Sequence, residues 1–579
     1  MRILLLHPED SPRFGPWTRQ KWDLIIDLGK SSESTAAAWQ VLTGSSVLRL
    51  ESFRRSVEDP REAGNILRSG DGRVLDKLGL DWWALTSLFI HAEVETALLL
   101  FRLAASGSLS GELYATRADW PVSGVGQLVG KQVPTFGDRD DNGVVHRLSH
   151  YAGLLRKLKL AQIAEIFFDK YDAGHAWRSR VALRPKPAAK PVVLLPSAYT
   201  NVSRMAAAYA RILPDQLFRL VATRRSGRQF DRPPNVQVAD LAAYAGGQPS
   251  RAEYIDILRN WAELRGQLAK IPALELLSCL GVLDRFAKWF QDGLAVREAW
   301  QRVLDQEPVT AVLCGDDSNW YTRLPVLLAR KRGLPTVDFH HGAFDGRFLL
   351  KKLSSDLYLA KGQMERDYLL QICSLPAERV KVGAPHRASP VRRVENDRGG
   401  RPSIVFFSEP YESSGGRPGE IYRDLLPVLC RLAVEHGRTV VVKLHPFENP
   451  KERSRLVDTI LSSEQRFLVK VVGSPLSDEL LASAWFGITV ESTTVVDCTQ
   501  HSVPCFLCEW LVASPYGYVQ QYARFGVGRL LHSASEISDI PRILHEAELR
   551  TEQHGAIEQP IEAEMFRSLL AGRFAPVAN

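Results

Sequence analysis

Thr439–Pro450 reads TVVVKLHPFENP. A β-branched apolar run predicts a buried strand, and its abrupt end in Lys443, His445 and Pro446 marks that strand's carboxyl terminus. In a doubly wound parallel sheet this end faces the ligand crevice. Lys443 and His445 are therefore candidates for offering positive charge and hydrogen-bond donors to a phosphate or diphosphate. A solvated turn with an incidental histidine is the plain alternative.

Working outward, the same strand-to-polar-turn pattern recurs. Ser403–Phe407 predicts the preceding strand, followed by the loop Ser408–Gly416 (SEPYESSGG), in which Ser408 and Glu409 are candidates to line a nucleotide unless the loop is simply solvated. Tyr422–His436 predicts a helix with Gly437 as its cap. Phe467–Val472, Phe486–Val490 and Cys505–Leu507 predict further strands. Gly487–Asp497 (GITVESTTVVD) runs from a strand into Glu491, Ser492, Thr493 and Thr494 before a helix. Hydroxyls and free N–H groups there suit phosphate, and they suit an ordinary helix cap equally. The loops carry no G-x-G-x-x-G fingerprint, which disfavours a dinucleotide cofactor.

Upstream of a polar stretch at Ser389–Pro402, a second α/β run is predicted. Its strands are Val192–Leu195, Phe218–Ala222, Val236–Val238, Val309–Cys314 and Thr336–Phe339; its helices lie at Arg251–Leu268, Leu274–Leu304 and Tyr321–Arg332. Val309–Cys314 ends in Gly315, Asp316, Asp317, Ser318 and Asn319, and Thr336–Phe339 ends in His340, His341 and Gly342. Acids and imidazoles at strand ends supply a base for an acceptor hydroxyl or a carboxylate for oxocarbenium charge, although Asp316 or Asp317 serves equally as a helix cap.

Arg184–Pro191 (RPKPAAKP) predicts a linker, since alternating prolines and lysines neither pack nor continue a helix. The expected organisation is 1–185 as an N-terminal α/β region, 186–395 as a Rossmann-like acceptor-side domain and 396–579 as a Rossmann-like donor-binding domain. The N-terminal region, with strands at Arg2–His7, Leu24–Leu28 and Glu112–Thr116 and helices at Ser34–Leu42 and Asp81–Ala105, either completes the first Rossmann unit or stands as a separate module.

The chain has 579 residues, 45% hydrophobic and 24% charged, with a formal net charge of +7. That length predicts two or three domains, and the charge favours anionic partners. Basic clusters such as Arg224, Arg225, Arg228 and Arg232 lack interleaved aromatics, so nucleic acid is not an expected partner. No apolar run approaches the roughly 20 residues of a membrane span, and seven scattered cysteines suit a reducing compartment, so a cytoplasmic location is expected. Cys505 and Cys508 form a C-x-x-C without a second pair at zinc spacing; a buried strand is the expected reading, and no metal is expected.

The order of H-H-G, K-L-H-P and E-S-T-T followed by V-P-C-F-L resembles the GT-B clan of bacterial surface-polysaccharide enzymes: Kdo transferases, bacterial sialyl- and polysialyltransferases, and CDP-glycerol glycerophosphotransferases. The resemblance spans about residues 305–510. It implies an α/β GT-B fold of two doubly wound domains facing a cleft. It also implies that His445 and Pro446, with Ser492 and Thr493, hold the donor phosphate, alongside Lys443, Glu491, Thr494, Ser408 and Glu409. Asp316 or Asp317 would act as base, with Ser318 standing where the sialyltransferase motif has glycine, and His341 with Gly342 matches the rival glycerophosphotransferase motif; His340 would assist. The implied activity is metal-independent transfer of a sugar, such as Kdo, from a nucleotide donor, CMP- or CDP-linked ahead of UDP-linked, to a glycan or lipid-linked glycan acceptor. Work on such acceptors implies peripheral association with the inner face of the membrane, and no cofactor. Polyol-phosphate transfer, sugar-nucleotide epimerisation and a non-catalytic nucleotide-binding scaffold are the alternatives.

Overall fold

Alternation of a buried apolar strand with an amphipathic helix occurs in three runs, and each closes into its own parallel sheet. The computed structural model describes residues 1–8, 10, 12, 15–29, 33–54, 58–68, 72–136, 182–183, 188–246, 249–316, 320–342, 354–385, 402–411, 418–445, 448–512, 518–547 and 557–573.

The first sheet holds β1 (Arg2–Leu6), β2 (Leu24–Asp27), β3 (Ser46–Arg49) and β4 (Glu112–Ala115) in the order β3-β2-β1-β4. The second holds β5 (Val192–Ser197), β6 (Leu217–Ala222), β7 (Val236–Asp240), β8 (Val309–Cys314), β9 (Thr336–Phe339), β10 (Leu357–Ala360) and β11 (Val380–Val382), ordered β11-β10-β9-β8-β5-β6-β7. The third holds β12 (Ser403–Phe407), β13 (Val440–Lys443), β14 (Val469–Val472), β15 (Ala484–Thr489), β16 (Cys505–Cys508) and β17 (Arg529–Leu531), ordered β14-β13-β12-β15-β16-β17. All six residues of β5 are buried, as a strand covered on both faces requires. The two larger sheets are doubly wound: order reverses between β5 and β8 in one and between β12 and β15 in the other.

These sheets fall into two compact units. One comprises 1–59, 99–136 and 388–557, with the first and third sheets; the other comprises 60–98, 137–387 and 558–579, with the second. The N-terminal region carries a four-stranded sheet of its own. It also contributes residues 60–98 to the second unit, where Trp82 and Trp83 pack on Phe290, Trp261 and Phe286. The C-terminal helix Ala563–Leu570 returns to that unit as well, burying Phe566 and Leu569 in the core with Val337 and Phe339.

An ionic cluster fixes residues 60–98 further. Arg297, fully buried on the helix Arg285–Gln306, donates to Asp76 (2.6 Å) and to both oxygens of Glu253 (2.5 and 2.9 Å). Burial alone would lower the Arg297 pKa; Glu253, Asp76 and Glu298 outweigh it and hold the guanidinium above its usual range.

Some elements differ from the sequence reading. The single helix expected at Leu274–Leu304 is two, Pro272–Cys279 and Arg285–Gln306, because Gly281 takes a left-handed φ of +71° between them. The stretch Asp81–Ala105 is likewise broken by a 3-10 turn at Ser87–Ile90. Against the expectation that no segment approached membrane-spanning length, Trp82–Ala105 passes on length and composition; isolated charges such as Glu93 hide it from a count of unbroken apolar residues. Of its most apolar window, 56% is buried inside the protein. Cys505 and Cys508, three apart on β16, point to opposite faces of the sheet, so the C-x-x-C spacing does not bring their thiols together.

Candidate functional site

β12 lies between β13 and β15, and Phe407 at its end pairs with Lys443 on one side and Thr489 on the other. The three loops singled out in the sequence therefore leave adjacent strands on the same edge, at the switch point of the sheet. Strand spacing puts the backbones of His445 and Glu491, two strands apart, about 10 Å from each other, close enough for side chains from both to reach one phosphate.

A buried polar network ties these loops together. Ser408 Oγ donates to Glu448 Oε1 (2.7 Å) and shares a hydrogen bond with Tyr422 Oη (2.7 Å). Glu448 Oε2 accepts from the His445 backbone N–H (2.7 Å), and Arg453 Nε donates to Glu448 Oε1 (2.6 Å). Glu448 thus positions His445 and Ser408 at once. Nothing in the sequence marks it except its place in the turn after His445; the helix Pro450–Ile460, started by the Asn449 cap and Pro450, carries Arg453 to it. Glu409 Oε1 accepts from Thr489 Oγ1 (3.1 Å) and from the Glu491 backbone N–H (3.0 Å), joining β12 to the turn after β15.

In that turn Ser492 Oγ accepts from the Thr494 N–H (3.3 Å). Thr493 stands at the cap position of the helix Thr494–Gln500 without a side-chain capping bond. The Thr494 hydroxyl is buried with no hydrogen-bond partner among the described residues. Thr493 and Thr494 thus do less capping than a structural turn would ask of them.

Electrostatics divide the site. Burial, and after it the Glu491 charge, pushes the Glu409 carboxyl up to about 8. A carboxyl that keeps its proton at neutral pH donates as well as accepts, which suits sugar or ribose hydroxyls better than phosphate. Burial lowers the pKa of Lys443, whose Nζ donates to the Leu444 carbonyl, and burial followed by the Lys443 charge lowers that of His445. Lys443 is thus buried with its Nζ turned to the backbone, while His445 and the Ser492–Thr494 turn follow the strand ends.

In the other unit, β8 and β9 bring a second polar group together. Asp316 follows β8 and is 4% exposed, its backbone carbonyl accepting from the Thr322 hydroxyl. His341 Nδ1 bonds the Gly315 carbonyl (3.1 Å), His340 Nδ1 bonds that of Gly342 (2.9 Å), and the two imidazole rings lie 4.7 Å apart. Lys361, just beyond β10, reaches the same Gly342 carbonyl (3.3 Å) and pairs with Glu365 (3.0 Å). Lys361 went unseen because β10 did. Asp317, Ser318 and Pro446 lie outside the described residues.

No protein-family model and no curated protein matches the chain. Among solved structures, UDP-GlcNAc 2-epimerase from Methanocaldococcus jannaschii is 11% identical, the match covering 66% of this chain and 99% of that chain at a TM-score of 0.41. A glycosyltransferase from Rickettsia africae is 10% identical over 67% of this chain and 95% of that chain, TM-score 0.36. The wall teichoic acid polymerase TagF is 11% identical over 75% of this chain and 98% of that chain, TM-score 0.38.

Proposed function

We propose that this chain is a GT-B-type glycosyltransferase that moves a sugar, of the ulosonic-acid class to which Kdo belongs, from a nucleotide donor to a bacterial surface-glycan acceptor, at the inner face of the membrane. One observation carries the reading: His445, Ser408 with Glu409, and Glu491 to Thr494 leave three adjacent strands at the switch point of one parallel sheet. Doubly wound sheets bind nucleotides at that place.

The division of charge fits the two ends of a donor. His445, whose burial favours the neutral ring, gains a proton when a phosphate dianion arrives beside it, and with the Ser492–Thr494 turn it takes up the charge that develops on the leaving phosphate, in the role a divalent cation fills elsewhere. Glu409 and Glu491 take the hydroxyls. In the second unit, Asp316 or His341 removes the acceptor's proton. The motif resemblance at His445 and Ser492–Thr493 supports a CMP-linked donor ahead of a UDP-linked one.

A thermal-shift screen with CMP, CDP, UDP, GDP and ADP tests the assignment, since a ligand that binds only the folded chain raises its melting temperature. A cytidine nucleotide is expected to stabilise most, and a flat response to all five overturns the reading. The proton held by Glu409 favours sugar-nucleotide epimerisation as the second reading. Incubation with the nucleotide sugar alone separates the two: an epimerase converts the sugar without acceptor, whereas the transferase releases nucleotide at speed only when acceptor is added.

A further inference from the structure

The unit built on the second sheet contains a cavity of about 820 Å³ that touches none of the candidate donor-site or acid-imidazole residues described above. Its place in the fold is definite. Gly333, Leu334 and Pro335, which lead into β9, and Ser354 and Asp356, which lead into β10, line it. It therefore opens at the amino ends of strands whose carboxyl ends carry His340 and Lys361, a separation of about 13 Å for strands of this length.

Five cations line this cavity. Arg323, Arg330 and Lys331 come from one face of the helix Trp320–Lys331, and Arg68 and Arg73 come from the N-terminal segment that packs over it. Cations in a helix's last turn complement its dipole, which accounts for Arg330 and Lys331 individually. It does not account for Arg68 and Arg73, which belong to a different stretch of chain and are brought to the same space.

Two carboxylates share the lining: Asp356 is paired with Arg330, one of the five cations, and Asp81 is taken up by backbone N–H groups. Asp356 accepts from Arg330 Nε (2.9 Å), from the Thr336 N–H (3.0 Å) and from the Thr336 hydroxyl (2.8 Å). Asp81 accepts from the backbone N–H groups of Val74 (3.3 Å), Trp83 (3.1 Å) and Ala84 (3.4 Å). Lys331 has neither hydrogen bond nor ion pair among the described residues, and its Nζ lies 3.4 Å from where a side chain on Gly79 would begin. Arg73 acts on Asp81 through its charge alone. Five cations against two carboxylates around a concave space of ligand size leave an excess of positive charge, whose repulsion a bound anion relieves.

We propose that this cavity is a second ligand site, for a group bearing two or more phosphate charges, on the opposite edge of the sheet from the candidate catalytic groups. Arg73 and Lys331 make the direct contacts, and Arg68, Arg323 and Arg330 set the potential. The chemistry is shared by a soluble diphosphate and by a phosphate-bearing lipid headgroup. The proposal stands independently of the transferase reading, because it uses no residue of the donor site.

The test uses the full chain in two arms. In the first, inorganic pyrophosphate is titrated against the wild type, His445→Ala, and the double variant Arg73→Gln/Lys331→Gln; both substituted cations of the double variant are exposed, so the fold is expected to persist. In the second, the same proteins are sedimented with phosphatidylcholine vesicles with and without phosphatidic acid. Pyrophosphate binding that survives His445→Ala and weakens tenfold or more in the double variant supports the site with a soluble ligand. Phosphatidic-acid-dependent sedimentation lost in the double variant supports it with a lipid headgroup. The charge-conserving Arg73→Lys/Lys331→Arg is expected to retain whichever binding is seen. A double variant indistinguishable from the wild type in both arms, whether both bind or neither does, overturns the proposal.

Discussion

Replacing Glu409 by glutamine isolates the feature that most distinguishes the proposed donor site. The Glu409 oxygen that accepts from Thr489 (3.1 Å) and from the Glu491 N–H (3.0 Å) has a counterpart in the glutamine carbonyl, so both bonds can persist and only the titration is lost. In the folded protein, burial and then the Glu491 charge hold the Glu409 carboxyl up to about 8, against an ordinary value of 4.5. The upper value belongs to the Glu409–Glu491 pair as a unit. Between the two values the folded state binds almost one proton more than the unfolded state, so the stability this group confers is complete below the lower value and is lost as pH rises towards the higher one. The limiting slope is about 1.4 kcal/mol per pH unit. At roughly 2–4 °C per kcal/mol for a unit of this size, the melting temperature of Glu409→Gln should gain on the wild type by about 3–5 °C per pH unit through the neutral range, and the gain should level off above about pH 8. Thermal melts followed by near-ultraviolet circular dichroism in steps across that range measure it. Melting curves that stay a constant distance apart at every pH refute the reasoning, because they would mean that Glu409 ionises in the folded protein as it does in the unfolded chain.

Two further substitutions probe the donor site and the buried ionic cluster. His445→Ala should lower kcat/KM by on the order of 2–4 kcal/mol in transition-state stabilisation while leaving the melting temperature of the unliganded protein nearly unchanged, as steady-state kinetics beside a thermal melt will read. Arg297→Met should destabilise the second-sheet unit by about 3–5 kcal/mol in chemical denaturation, since it strands the buried carboxylates of Asp76 and Glu253. That deficit should shrink on acidification, because without Arg297 the burial of Glu253 makes its carboxylate gain a proton more readily in the folded than in the unfolded state; a deficit that ignores pH would point to lost packing instead.

Strands buried on both faces announced themselves in the amino-acid sequence. Val309–Cys314, Thr336–Phe339 and Ser403–Phe407 are short runs rich in β-branched and apolar residues that end in polar turns, and the observed strands have those same bounds. Parallel α/β architecture followed from their alternation with helices, and the placement of Ser408, His445 and Ser492 at strand ends followed from where each run stopped. These are local properties: apolar burial and the end of a strand are written within a dozen residues.

Which strands stand side by side is a property of no single segment. Only the folded chain places β12 between β13 and β15, turning three separate loops into one site, and only there does Glu448 become the hub that joins Ser408 to His445 and Arg453. The sequence pattern did not mark β10 or β17, although β10 is as long as β9, and with β10 went Lys361. The N-terminal segment likewise gave no sign that Trp82, Trp83 and Asp76 belong with helices some 200 residues later. Their partners are fixed by the shape of a core and by a buried guanidinium whose charge three carboxylates must meet, and complementarity of that kind exists only once distant segments are in contact.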